Sequence, residues 1–180
     1  MSETITPKQL EQEGKQAFQR GDYRAAAHAF ETASMGYHTL GDELSCAEMR
    51  NNSSVAYLKA GDAQAALRII EGTLNIFAKA EDIRRQGMAL GNLGAAQEAL
   101  EYFDEAIESY EQSAELLKKA GEDELRASVM QSLSALLLRT GRQLEAVAVM
   151  QTGLESIKRP SIKQRLVKKL LELPYSLFRK

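Results

Sequence analysis

The 180 residues include one cysteine, two histidines and three prolines, and each scarcity excludes something. A lone Cys46 rules out an internal disulfide and a cysteine zinc cluster. It reads as a small helical side chain. So few prolines, with Ala, Leu, Glu, Lys, Gln and Arg abundant and strand formers nowhere clustered, favour helix throughout. No apolar run approaches the ~20 residues that cross a bilayer. Met1 to Pro7 is polar, without the basic-then-apolar form of a signal peptide, so a cytoplasmic location is expected by default.

Catalytic patterns are missing as well. His28 and His38 stand ten apart in one helical stretch. That spacing is about 80° off a common face and about 15 Å along the axis, so the two cannot share a metal. There is no His-x-x-x-His, no Gly-x-Ser-x-Gly and no Walker loop. "GNLGAAQ" contains glycines but follows no strand, and so is not a nucleotide loop. Asp104-Glu105 and Asp123-Glu124 read as helix starts, where the helix dipole favours acids. No enzyme activity, catalytic residue, cofactor or metal is expected.

What is present is a period. "RGDYRAAAHAF" begins at Arg20, "AGDAQAALRII" at Ala60, "LEYFDEAIESY" at Leu100 and "TGRQLEAVAVM" at Thr140, an offset of 40 each time. Gly21, Gly61 and Gly141 align, with Glu101 the exception. Ala26, Ala66, Ala106 and Ala146 are identical. Phe30, Ile70, Tyr110 and Met150 are large and apolar, as are Tyr37, Phe77, Leu117 and Ile157. Seven before the turn stand the small residues Gly14, Ser54, Gly94 and Ser134. Glycine suits the positive φ that ends a helix, and Asp after it caps the next one. The alanine lets two helices approach closely, opposite the small residue of the preceding helix. Arg20-Gly21-Asp22, an adhesion tripeptide in other settings, is therefore the turn of the first helix pair.

These columns resemble the tetratricopeptide (TPR) repeat: its first-helix small residue as Gly14 and Gly94, its turn as Gly21-Asp22-Tyr23, its second-helix Ala and bulky aromatic as Ala26 and Phe30. "ALGNLG", Ala89 to Gly94, is similar to the first-helix consensus. The usual unit is about 34 residues; the longer period resembles the repeats of cell-polarity adaptor scaffolds and bacterial TPR regulators. The resemblance implies an all-α fold: a right-handed α-solenoid of four helix-turn-helix repeats plus a C-terminal capping helix. The expected organisation is a disordered 1–6, repeats at about 7–42, 43–82, 83–122 and 123–160, a capping helix at 161–173 and an apolar, basic tail at 174–180. Helices are expected near 7–20, 23–40, 43–60, 63–80, 83–99, 103–120, 123–140, 143–157 and 162–172. Without its glycine, the turn at Glu101-Tyr102 is expected to be tighter or part helical.

In such a solenoid the first helices line the inner face, which the resemblance assigns to peptides or partner helices. Helical spacing places Lys15 there from the first repeat; Asn51, Asn52, Val55 and Lys59 from the second; Met88, Asn92 and Ala95 from the third; Gln131, Ala135 and Arg139 from the fourth. Gly91, Ala99, Ser128 and Ser132 share that face. Asn52 and Asn92 occupy one column, and an amide can pair with a peptide backbone as donor and acceptor. A clamp for a terminal carboxylate is disfavoured, because Glu11 sits beside Lys15. Arg50, Arg84 and Arg85 would attract an acidic peptide. The expected activity is non-enzymatic protein or peptide binding in the groove. The alternative is self-association through groove, capping helix or tail.

Charge is uneven. Residues 1–157 hold 15 basic and 24 acidic residues, a net of −9, and residues 158–180 hold eight and one, a net of +7. Ile162, Leu166, Leu170 and Leu173 form an apolar stripe with Lys163, Lys168 and Lys169 off it, as a capping helix with a basic outer surface would. Nucleic acid or an anionic membrane are the other partners this basic segment leaves open.

Overall fold

A computed structural model describes residues 5–155 and Lys169. Within the described residues there are nine helices and no strand: α1 Pro7–Gln19, α2 Tyr23–Thr39, α3 Glu43–Lys59, α4 Ala63–Ile70, α5 Thr73–Lys79, α6 Ile83–Ala99, α7 Phe103–Lys119, α8 Asp123–Arg139 and α9 Gln143–Glu155. The fold is an all-α solenoid in which successive helices pack on one another, except that the short α4 and α5 both pack on α3 and α6 rather than on each other. The expected capping helix and tail lie outside the described residues, except that Lys169 is helical and exposed.

The first helix starts as its sequence dictates. Thr6 accepts from the Gln9 N–H, the Gln9 side chain accepts from the Thr6 N–H, and Pro7 takes the first helical position.

The turns that follow share one geometry. A residue with left-handed φ stands at Gly21, Gly41, Gly61, Glu81, Glu101, Gly121 and Gly141, once every 20 residues. Its N–H donates three residues back and the next N–H donates five back, as in Gly21 to Phe18 and Asp22 to Ala17. This Schellman pair satisfies the carbonyls that end one helix. The residue after it is also the N-cap of the next helix. Asp22, Asp42, Asp62 and Asp82 each accept a backbone N–H three residues on, at 2.9–3.2 Å. Glu101 does not make its turn tighter or more helical. It takes φ 64° and repeats the same two bonds, to Glu98 and Gln97. The hydrogen bonds gained at the helix end outweigh the ~1–2 kcal/mol that left-handed geometry costs a residue with a Cβ.

The expected single helix at 63–80 is broken. Glu71 turns extended (ψ 134°) and Gly72 takes φ 84°, separating α4 from α5. The freed carbonyls find partners: Arg50 Nε donates to Ile69 O at 3.0 Å, Arg50 Nη2 to Glu71 O at 3.0 Å, and Thr73 Oγ1 to Ile70 O at 2.8 Å. In the same column, at offsets of 40, the other units carry Thr32, Gln112 and Thr152 where this one has Gly72. A glycine inside a helical pattern was the visible signal.

The tight crossings expected within each pair take two forms. An added Cβ on Gly14 would stand 2.7 Å from the Phe30 ring, and one on Gly94 would stand 2.9 Å from Tyr110 Cδ1. In the alternate pairs the small residue is serine. Ser54 Oγ donates to Ala66 O at 2.9 Å and Ser134 Oγ to Ala146 O at 2.8 Å. The four column alanines are fully or almost fully buried.

Candidate functional site

Lateral packing decides which face can receive a ligand. The helix α3 packs directly on α6, and α6 on α8, whereas no comparable contact joins α2, α4, α7 and α9 to one another among the described residues. A solenoid curves toward the side on which its helices touch, so α3, α6 and α8 line the inner wall.

Two clefts run along this wall and share Met88 as a lining residue. The first, between α3 and α6, is lined by Glu48, Asn51, Asn52, Arg84, Arg85 and Met88, with Phe77 of α5 at its floor. Phe77, 1% exposed, packs there in the repeat column that Leu117 of the unbroken α7 fills in the second cleft. The second lies between α6 and α8. It gathers Met88, Gly91, Asn92, Ala95, Ser128, Val129 and Ser132 over the apolar Leu117, Leu125 and Tyr110. A third depression holds Ala95, Ala99 and Arg139 with Leu58, Glu98 and Glu101.

The expected groove residues do not all reach these clefts. Asn51, Asn52, Met88, Asn92 and Ala95 do, and Arg139 reaches the third. Asn51 lines the first cleft with little exposed surface: it is 7% exposed, and its Oδ1 accepts from Asn92 Nδ2 at 2.9 Å. One donor of Asn92 is therefore spent on tying α6 to α3, and Asn52 is the amide with no side-chain partner among the described residues. Val55 is half-buried outside the clefts, and Lys59, Gln131 and Ala135 are exposed there. Lys15 lies at the far end on α1, paired with Glu11, which also accepts from Tyr37 Oη at 2.9 Å. The Lys15 ammonium holds the Glu11 carboxyl below its ordinary range. Lys163 and Lys168 lie outside the described residues.

The arginines of the wall are already engaged. Arg84 bonds Glu122 at 2.6 Å, Arg85 bonds Asp82 at 2.8 Å and Glu48 at 3.1 Å, and Arg139 bonds Glu98 at 2.6 Å while standing 5.2 Å above the Phe103 ring. Glu98 accepts from Tyr110 Oη as well, at 3.0 Å. Burial, then the Glu98 charge, push the Tyr110 hydroxyl well above its usual range, so it stays a donor. Arg50, expected to attract an acidic ligand, instead caps the end of α4. Exposed pairs of this kind contribute little to stability, but they neutralise the cleft's charge.

Leu117, Leu125, Val129 and Phe77 were not legible as site residues. Leu125 and Val129 lie one turn apart beside the Ser128 and Ser132 row, and only the packing of α8 on α6 turns them into a floor.

The family model for "Soluble NSF attachment protein, SNAP" matches residues 15–172. The chain belongs to the SNAP family. That match spans every helix named above from the later part of α1 onward, so the wall of α3, α6 and α8 is the SNAP-family part of the molecule. No curated protein matches the sequence significantly. Two crystal structures of TPR-like repeats from a Podospora anserina protein described as a kinesin light chain are similar in fold, with TM-scores of 0.74 and 0.75 and 19% identity. They cover 91% and 93% of this chain and 82% and 85% of their own. This SNAP-family chain is thus a TPR-like helical-repeat protein, a fold typical of protein-interaction scaffolds. Among the described residues no helix is long and apolar enough to cross a membrane.

Proposed function

We propose that the chain is a non-enzymatic scaffold that holds an extended or helical segment of a partner protein along the wall of α3, α6 and α8. The observation that carries this is the row of two clefts along one wall, both lined by Met88. Small side chains (Gly91, Ala95, Ser128, Ser132) open the channel, apolar ones floor it, and the Asn52 amide stands at its edge. Such a channel suits a segment with apolar side chains and free backbone amides. The internal pairing of Arg84, Arg85 and Arg139 argues for an amphipathic segment over a strongly acidic one. The family's description names attachment to NSF, so an NSF-type protein is the first partner to test.

Ser128 is exposed, and Ser128→Arg fills the second cleft without touching the core. Together with Asn52→Ala it is expected to lower partner affinity at least about tenfold, the cost of losing an anchoring contact of about 1.4 kcal/mol. Calorimetry against the partner, with circular dichroism to confirm the fold, measures this. Unchanged affinity overturns the placement.

Self-association is the second reading. Leu138 and Leu144, 50% and 77% exposed, flank the turn between α8 and α9 and offer an apolar edge to another copy. Light scattering across concentration separates the two: a constant monomer mass excludes self-association.

A further inference from the structure

The turn between α2 and α3 brings together three side chains that are unlike one another and that all ligate metals. His38 sits in the last turn of α2, Glu43 opens α3, and Cys46 lies one turn further along α3. In sequence they read His-x4-Glu-x2-Cys. Their ligand atoms all lie within 4.8 Å of one another, and His38 Nδ1 is 2.8 Å from Glu43 Oε1. We propose that His38, Glu43 and Cys46 form a binding site for a borderline-soft divalent cation of the zinc class, pinning the first repeat to the second.

The chemistry fits the donor set. Zinc takes nitrogen, carboxylate oxygen and thiolate sulfur at about 2.0–2.3 Å in tetrahedral array, which puts ligand atoms roughly 3.2–3.6 Å apart. Closing from 4.8 Å needs only side-chain rotation. Two of the three side chains are free to make it: His38 is 69% and Glu43 52% exposed. Cys46, 7% exposed, is the fixed anchor. The backbone between them is held by the Schellman bonds from Gly41 to His38 and Asp42 to Tyr37, so the two arms start in register. Three protein donors leave a fourth position for water.

The surroundings do not compete. Asp42 is occupied in capping Ser45, and Arg50, the cation that acts on Cys46, is committed to the carbonyls of Ile69 and Glu71. Without metal, burial and then the Glu43 charge hold the thiol protonated. It is then a poor nucleophile, and binding a cation releases its proton.

The test is Co²⁺ titration of the untagged, reduced full chain. Binding at one equivalent with a sulfur-to-cobalt charge-transfer band, displaced by Zn²⁺, is expected. Cys46→Ala should abolish the band. His38→Ala and Glu43→Gln are surface changes that leave the fold intact, and each should weaken Co²⁺ binding at least about tenfold. Zinc should raise the thermal midpoint of the wild type and not that of Cys46→Ala. Absence of the band at excess Co²⁺ overturns the proposal. So does a band whose affinity is unchanged by either His38→Ala or Glu43→Gln, which marks a thiol acting alone.

Discussion

The four helix pairs share one close approach and achieve it in two ways. In the first and third pairs the small residue is glycine, and an aromatic ring, Phe30 or Tyr110, lies over it. In the second and fourth it is serine, which hydrogen-bonds the alanine carbonyl of the facing helix, and the neighbouring large residue is the smaller Ile70 or Met150. The contrast shows that a repeat column is not conserved as a residue type. The volume lost at one position is regained at its partner, because helical interiors pack at nearly constant density.

Removing the aromatic half of the pair should have the largest effect. Phe30→Ala is expected to destabilise by about 3–5 kcal/mol, since a buried ring is lost and its cavity lies between rigid helices. Urea unfolding followed by circular dichroism reads it.

Next comes the exchange of one solution for the other. Gly14→Ser forces its Cβ into the Phe30 ring and should cost about 1–3 kcal/mol. Adding Phe30→Ile recreates the Ser54–Ile70 arrangement. The double mutant should be more stable than the sum of the single changes predicts, by at least about 0.5 kcal/mol. Simple additivity would mean that the two forms of crossing are not interchangeable.

Deleting the hydroxyl is a smaller change. Ser54→Ala should cost about 1 kcal/mol, the net value of one buried hydrogen bond, because the Ala66 carbonyl keeps its place in its own helix. If it costs as much as Phe30→Ala, the serine crossing depends on its bond rather than on size.

The turns give the smallest effect and the opposite sign. Glu101→Gly relieves left-handed strain at the one turn within a helix pair that lacks glycine. It should stabilise by roughly 0.5 kcal/mol, the relief being partly offset by the greater freedom of glycine in the unfolded chain. A destabilisation would show that the Glu101 side chain contributes to the third depression.

Much of the architecture was readable in the sequence. Apart from the break within 63–80, the helix starts from α1 to α9 match the expected ones, because each turn places a left-handed residue at a fixed point, followed in four cases by a capping Asp. The 40-residue repeat nevertheless concealed a 20-residue rhythm, since Gly41 and Gly121 close the turns between repeats with the geometry of Gly21 and Gly61. The candidate site was less legible. Helical spacing put Asn51 and Asn52 on the same wall, but adjacent residues point about 100° apart. Only the approach of α6 decided that Asn51 would be buried against Asn92 while Asn52 stayed at the cleft. His38, Glu43 and Cys46 match no metal spacing along a single helix, because these three meet by folding back across a turn.

Local chemistry therefore determined the helices, their caps and their pairing, because those depend on residues no more than a repeat apart. Tertiary structure alone decided the burial of Asn51 against Asn92 and the pairing of Arg84, Arg85 and Arg139 with Glu122, Glu48 and Glu98. Each depends on which residue of a distant helix arrives opposite, and hydrogen bonds and ion pairs go to whichever partner packing brings within about 3 Å.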